Sequence, residues 1–192
     1  MKPLRQFIVY IPERIKETKK IGDIEIYIDT KFNEFEHRVM EGEVVGVPQK
    51  YKTAVEPGDT LYFHHHVVTT PQLLDREHDL YQVLFDPNGG FASQAYAVKK
   101  KGTGEIIALG DWIFLDSMAP EARLKSSILE IVSFETLPNE KGRIIYASDK
   151  IKEEGLKIGD VVYFQKDADY EMQIEDKKLW RMLVQHLMVV EL

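Results

Sequence analysis

The chain carries one pattern twice, about a hundred residues apart. The first copy reads Gly42-Glu43-Val44-Val45-Gly46-Val47, then Val55-Glu56-Pro57-Gly58-Asp59-Thr60-Leu61-Tyr62-Phe63, then Leu80-Tyr81-Gln82-Val83-Leu84. The second reads Gly142-Arg143-Ile144-Ile145-Tyr146-Ala147, then Leu156-Lys157-Ile158-Gly159-Asp160-Val161-Val162-Tyr163-Phe164, then Leu179-Trp180-Arg181-Met182-Leu183. The offsets between matched segments are 100, 101 and 99. A repeat of that length is domain-sized, well beyond the 20–50-residue units of solenoids and propellers. We therefore expect two versions of one small domain, residues 1–100 and 101–192. The join falls near 99–105, where Lys99-Lys100-Lys101 leads into Gly102-Thr103-Gly104 and reads as a solvated linker.

Most segments have the character of short strands. Phe7-Ile8-Val9-Tyr10-Ile11 is apolar and rich in β-branched and aromatic residues, and it stops at Pro12. Ile24, Ile26 and Ile28 fall on one face of an alternating segment, with Glu25 and Tyr27 on the other. Pro57-Gly58-Asp59 is a turn ahead of the strand from Thr60 to Phe63. Trp112 to Leu115, Arg143 to Ala147, Val161 to Phe164 and Leu187 to Val190 are the corresponding strands of the second half. The best helical candidate, Leu73 to Val83, reads better as a loop followed by a strand, like its counterpart Asp176 to Leu183. Many short strands with frequent turn signals give an all-β class, with a small barrel or sandwich in each repeat.

Composition narrows the functions such domains can have. A half of about 95 residues is small for independent stability, and 44% hydrophobic residues supply real cores. The net charge of −7, without a long basic run, argues against nucleic acid as a partner. There are no cysteines, which excludes disulfide scaffolds, thiolate metal sites and cysteine nucleophiles. The first residues lack a signal-peptide apolar stretch, and no apolar run is long enough for a bilayer. A soluble, cytoplasmic protein without a membrane partner is expected.

The order of elements resembles the GroES co-chaperonin family. In the second half, residues 156–164 are similar to that family's Gly-Asp strand, 174–182 to its acidic turn and following strand, and 186–192 to its closing strand. In the first half, residues 42–47 and 55–63 carry the likeness. The resemblance covers nearly the whole chain and implies two tandem GroES-like small β-barrels. It further implies a homo-oligomer that caps a GroEL-like chaperonin ring and assists folding of other proteins, with no cofactor and no catalysis.

Chaperonin contact in that family is made by mobile loops. The resemblance places them at about 13–40 and 116–140, with Ile24, Glu25, Ile26 and Ile28 in the first and Ile128, Leu129, Ile131 and Val132 in the second. Such loops bind weakly each because ordering costs entropy, and ring symmetry multiplies them into avidity. Glu25 and Glu130 interrupt the apolar triplets that the family uses. Family-type association would pair Leu187, Met188, Val189 and Val190 with Phe7, Ile8 and Val9 of the next chain, while Ala95 to Val98 would pair with Ile106 to Leu109 or a neighbour. Residues 48–56 and 148–156 are short where the family builds a roof hairpin, a reduction that resembles viral co-chaperonins. The rival expectation is a structural or binding protein, such as a phage assembly component, that keeps the fold and engages no chaperonin.

Two other features bear on function. His64-His65-His66 invites a metal, and strand alternation would let only His64 and His66 share one ion, with Asp75, Glu77 or His78 as further candidates. A polar strand end leaving the sheet after Phe63 is the preferred reading, which gives no metal. The carboxylates sit in turn-like segments, and neither a Gly-x-Ser-x-Gly elbow nor a phosphate-binding glycine loop is present. No enzymatic activity is expected.

Overall fold

The computed structural model describes residues 2–12, 18–21, 24–27, 39–68, 72–88, 93–118 and 140–191. The chain divides into two compact units, Met1–Gly110 and Asp111–Leu192. Both are all-β and antiparallel.

Unit 1 is built on β1 (Gln6–Tyr10), β4 (Glu41–Gly46), β5 (Thr60–Phe63), β6 (Leu73–Asp75), β7 (Leu80–Leu84), β8 (Ala95–Lys99) and β9 (Ile106–Ala108). These strands form one sheet in the order β6-β7-β1-β4-β5-β8-β9. A separate pair, β2 (Thr18–Ile21) and β3 (Ile24–Tyr27), lies in the connection between β1 and β4. Unit 2 contains β10 (Trp112–Ser117), β11 (Lys141–Ala147), β12 (Val161–Phe164), β13 (Tyr170–Ile174), β14 (Lys177–Leu183) and β15 (Leu187–Glu191), in the order β13-β14-β10-β11-β12-β15. The first six strands of unit 1's order and the six of unit 2 follow the same path.

The duplication extends to single hydrogen bonds. Gly58 and Gly159 both take positive φ, +92° and +96°, a conformation that glycine adopts without steric cost. The Asp59 carboxylate accepts from the Glu56 N–H at 2.8 Å, and the Asp160 carboxylate accepts from the Lys157 N–H at 2.8 Å. Val44 and Ile144 each bridge the same turn through both backbone groups. Register shifts fall at matched places too: Ile8/Val9 and Phe114/Leu115, then Tyr62/Phe63 and Tyr163/Phe164. Such bulges bend a strand and increase its twist.

Alternation along each strand sends one set of side chains into a core. In unit 1 Phe7, Val9, Val44, Leu61, Phe63, Tyr81 and Val83 are fully buried and pack with Ile11 and Val98. In unit 2 Ile113, Leu115, Ile144, Val162, Phe164 and Met182 do so. Each such side chain contributes about 1.5–3 kcal/mol by leaving water. Trp112 is buried, and Trp180 packs against the second core.

Several expectations change. Among the described residues neither sheet closes into a barrel, since its two end strands pair with different neighbours. In unit 1 the outer edge of β8 that closure would use is occupied by β9, through Ala97↔Ala108, Val98↔Ile107 and Lys99↔Ile106. That pairing also moves the join between units past Gly110. The lysines are no solvated linker. Lys99 ends β8, and the Lys100 ammonium donates to the Asp59 carboxylate at 2.7 Å, the Glu56 carboxylate at 3.0 Å and the Ala54 carbonyl at 2.8 Å. Leu73 to Val83 is a hairpin of β6 and β7 rather than a loop and a strand, with Asp79 at φ 50° in its turn. The second roof segment forms a helix, α1 (Asp149–Glu153), capped by the Ser148 hydroxyl and anchored by fully buried Ile151.

Candidate functional site

The clearest departure from the compact sheets is the β2–β3 hairpin. Thr18, Lys19, Lys20 and Ile21 face Tyr27, Ile26, Glu25 and Ile24 in register. Neither strand joins the seven-stranded sheet. Ile24, Glu25 and Ile26 therefore lie on an arm inserted between β1 and β4, not in a strand of the core sheet. Glu25 stands opposite Lys20 in this register. The arm is possible here because β1 and β4 are adjacent in the sheet and their connection leaves and re-enters at one end. Ile28 lies outside the described residues, as do Ile128, Leu129, Ile131 and Val132. Their segment connects β10 to β11, the equivalent position in unit 2.

The expected subunit seam divides sharply. Phe7, Ile8 and Val9 cannot pair with another chain. β1 is central, bonded to β7 on one side and β4 on the other, and these residues are 0–3% exposed. Their apolar character serves the interior. Leu187, Met188, Val189 and Val190 form β15, which pairs with β12 and ends the unit 2 sheet. Met188 and Val189 are 65% and 56% exposed, and the Glu191 carboxylate holds the Lys141 ammonium at 2.8 Å.

The four sheet ends are not alike. β6 and β9 are three residues long, and β13 carries Glu171, paired with Lys178 at 2.9 Å. Short length and charge are the devices that keep an edge from recruiting another strand. β15 is five residues, Leu-Met-Val-Val-Glu, and combines an edge with exposed aliphatic side chains. Its counterpart β8 has its own edge covered by β9.

Two open depressions lie at matching places on the units. One, about 380 Å³, is lined by Ile8, Val45, Asp75, His78 and Leu80. The other, about 340 Å³, is lined by Asp116, Ile145, Lys177, Lys178 and Leu179. Val45 corresponds to Ile145 and Leu80 to Leu179, so both have aliphatic floors. The rims differ: unit 1 has the His78–Asp75 pair at 2.9 Å, and unit 2 has two lysines. The His78 hydrogen bond draws the Asp75 carboxyl below its ordinary value against a smaller opposing effect of desolvation. Sequence reading missed these depressions because their residues come from strands far apart in the chain.

The histidines are closer than strand geometry allows. His65–Val68 form a short 3₁₀ turn, so the chain leaves extended conformation at His64 and all three rings gather. Asp75, Glu77 and His78 do not join them; the hairpin turn holds Asp75 against His78 instead.

No protein-family model matches the chain, and no curated protein sequence does. Among the described residues no helix is long and apolar enough to cross a membrane.

Proposed function

We propose that this protein acts by association, as a co-chaperonin-like cap that docks on a chaperonin ring through paired arms and assembles with further copies through β15. The observation that carries the reading is the β2–β3 arm, which among the described residues forms its own two-stranded sheet and lies in the connection between two central strands of a duplicated unit. Residues 119–139, which connect β10 to β11 and lie outside the described residues, are proposed as the second attachment segment of each chain. The resemblance of the repeated strand framework to GroES supplies the partner class.

The test is co-sedimentation of the chain with a GroEL-type ring in ADP or ATP, alongside its native mass. The parent is expected to pellet with the ring, and a variant carrying Ile24→Ser and Ile26→Ser is expected to lose docking while keeping its circular dichroism and melting temperature. A parent that never pellets with the ring refutes the reading. A specific feature favours the rival, a GroES-like binding protein without a chaperonin: Glu25 interrupts the arm's apolar residues at a position matched to Lys20. Assembly without ring binding would select it.

A further inference from the structure

We infer that His64, His65 and His66 form a binding site for one divalent transition-metal ion of the zinc class. The three ring centroids lie 4.2–4.5 Å from one another. One potential ligand nitrogen from each falls within 4.8 Å of the others. Around a tetrahedral zinc with Zn–N of about 2.0–2.1 Å, ligand nitrogens sit about 3.4 Å apart. Small side-chain rotations therefore bring the cluster onto an ion. Imidazole suits zinc, nickel and copper and is a poor ligand for magnesium or calcium. Three neutral imidazoles leave one tetrahedral position for water or an incoming ligand.

The backbone prepares this arrangement. His64 ends the ladder with its N–H donating to the Gln94 carbonyl at 2.9 Å, and its own carbonyl accepts from the Val67 N–H at 2.9 Å. That turn directs successive side chains to one place instead of to opposite sides of a strand. The His66 N–H donates to His64 Nδ1 at 3.1 Å. Metal loading exchanges this bond: either Nδ1 ligates the ion itself, or the proton shifts to Nδ1 and Nε2 ligates. In both cases the ring stays neutral overall and charge is supplied by the ion. His64 also meets Tyr96 edge-on at 6.2 Å, which limits its ring movement.

Unit 2 provides an internal comparison. Gln165-Lys166-Asp167 occupies the equivalent place, with the Gln165 N–H donating to the His186 carbonyl at 2.9 Å and Gln165 closing a similar turn through Ala168. The backbone bends without histidine, so the turn does not require the triplet.

The experiment titrates the full-length, untagged chain with zinc chloride by calorimetry, and with cobalt chloride by visible absorption. One ion per chain should bind saturably, with the cobalt bands of a four-coordinate site. The combined variant His64→Gln, His65→Lys and His66→Asp gives unit 1 the residues that unit 2 uses and should abolish binding while retaining the β-sheet circular dichroism. His65→Ala alone should weaken affinity by about 10–100-fold or more, at least the scale of losing an outer partner of a ligand. Absence of saturable binding in the parent overturns the inference. So does undiminished binding in a folded variant, which would place the ion on other histidines or carboxylates.

Discussion

Gly42 and Gly142 occupy the same position in the two units, where β4 and β11 return beside the bulges of β1 and β10. A methyl group at Gly142 would lie 3.0 Å from Leu115 Cβ, 3.1 Å from the Asp116 carbonyl oxygen and 3.2 Å from Leu115 Cδ1. At Gly42 it would lie 3.0 Å from both Ile11 Cγ1 and the Tyr10 carbonyl oxygen. Backbone oxygens and a β-carbon cannot rotate away, so the strands must separate slightly. Overpacking of this kind costs about 1–3 kcal/mol. Neither glycine has positive φ, so alanine regains about 0.4–1 kcal/mol by restricting the unfolded chain. The net loss for Gly142→Ala is about 1–2 kcal/mol. For a domain of 60–100 residues this lowers the melting temperature by about 4–16 °C. Calorimetry of Gly42→Ala, Gly142→Ala and the double variant reads the effect, with additive free energies expected for distant sites. Gly102→Ala is the control, because nothing lies within 4 Å of an added methyl. A Gly142→Ala protein that melts at or above the parent temperature refutes close strand approach as the reason for this glycine.

Asp59→Asn should destabilise unit 1 by about 1–3 kcal/mol, the scale of hydrogen bonds to charged groups, as read by urea denaturation. Burial alone would raise the Asp59 carboxyl, but bonds from Lys100, Lys101 and Glu56 outweigh it and hold it below 3.8. Its contribution is therefore present above the unfolded value and is lost as pH falls through the depressed folded one, so the parent should lose more stability than Asp59→Asn below about pH 4. The Asp59 bond raises Lys100 above 10.5, outweighing its desolvation; that contribution is present below 10.5 and disappears as pH rises through the folded value. Ser148→Ala removes the hydroxyl that accepts from the Ile151 N–H at 3.3 Å and should cost about 0.5–2 kcal/mol in unit 2 by the same assay. Val189→Lys should reduce the native mass in light scattering without changing the melting temperature, because this side chain is already exposed; an unchanged assembly would exclude β15 as the seam.

The strand framework was readable because each strand carries its own period and turn. Val44, Leu61 and Phe63 alternate inward as their spacing requires, and Gly58-Asp59 and Gly159-Asp160 close equivalent turns. Facts that depend on a distant partner were not readable. Phe7, Ile8 and Val9 have the composition of an edge seam and of a central strand alike; only the positions of β4 and β7 decide between them. The lysine run reads as solvated because the carboxylate that Lys100 meets, Asp59, lies 41 residues earlier in the chain. The convergence of all three histidine rings was not readable, because strand alternation carried past Phe63 sets His65 apart from His64 and His66, whereas the chain turns at that point.

The duplication is symmetrical in framework and asymmetrical at its edges, and the asymmetry bears on assembly. Had both units left the β8 and β15 edges open, every chain would offer two equivalent strand-accepting surfaces, a geometry that leads readily to open-ended polymers. Unit 1 covers its edge with Ile106–Ala108, a segment of its own chain. This leaves β15, with Met188 and Val189 exposed, as the long aliphatic edge among the described residues. If copies assemble through β15 as proposed, one such edge per chain favours a closed assembly over an open one, and β9 on β8 is the corresponding pairing within unit 1: a short, antiparallel, aliphatic strand.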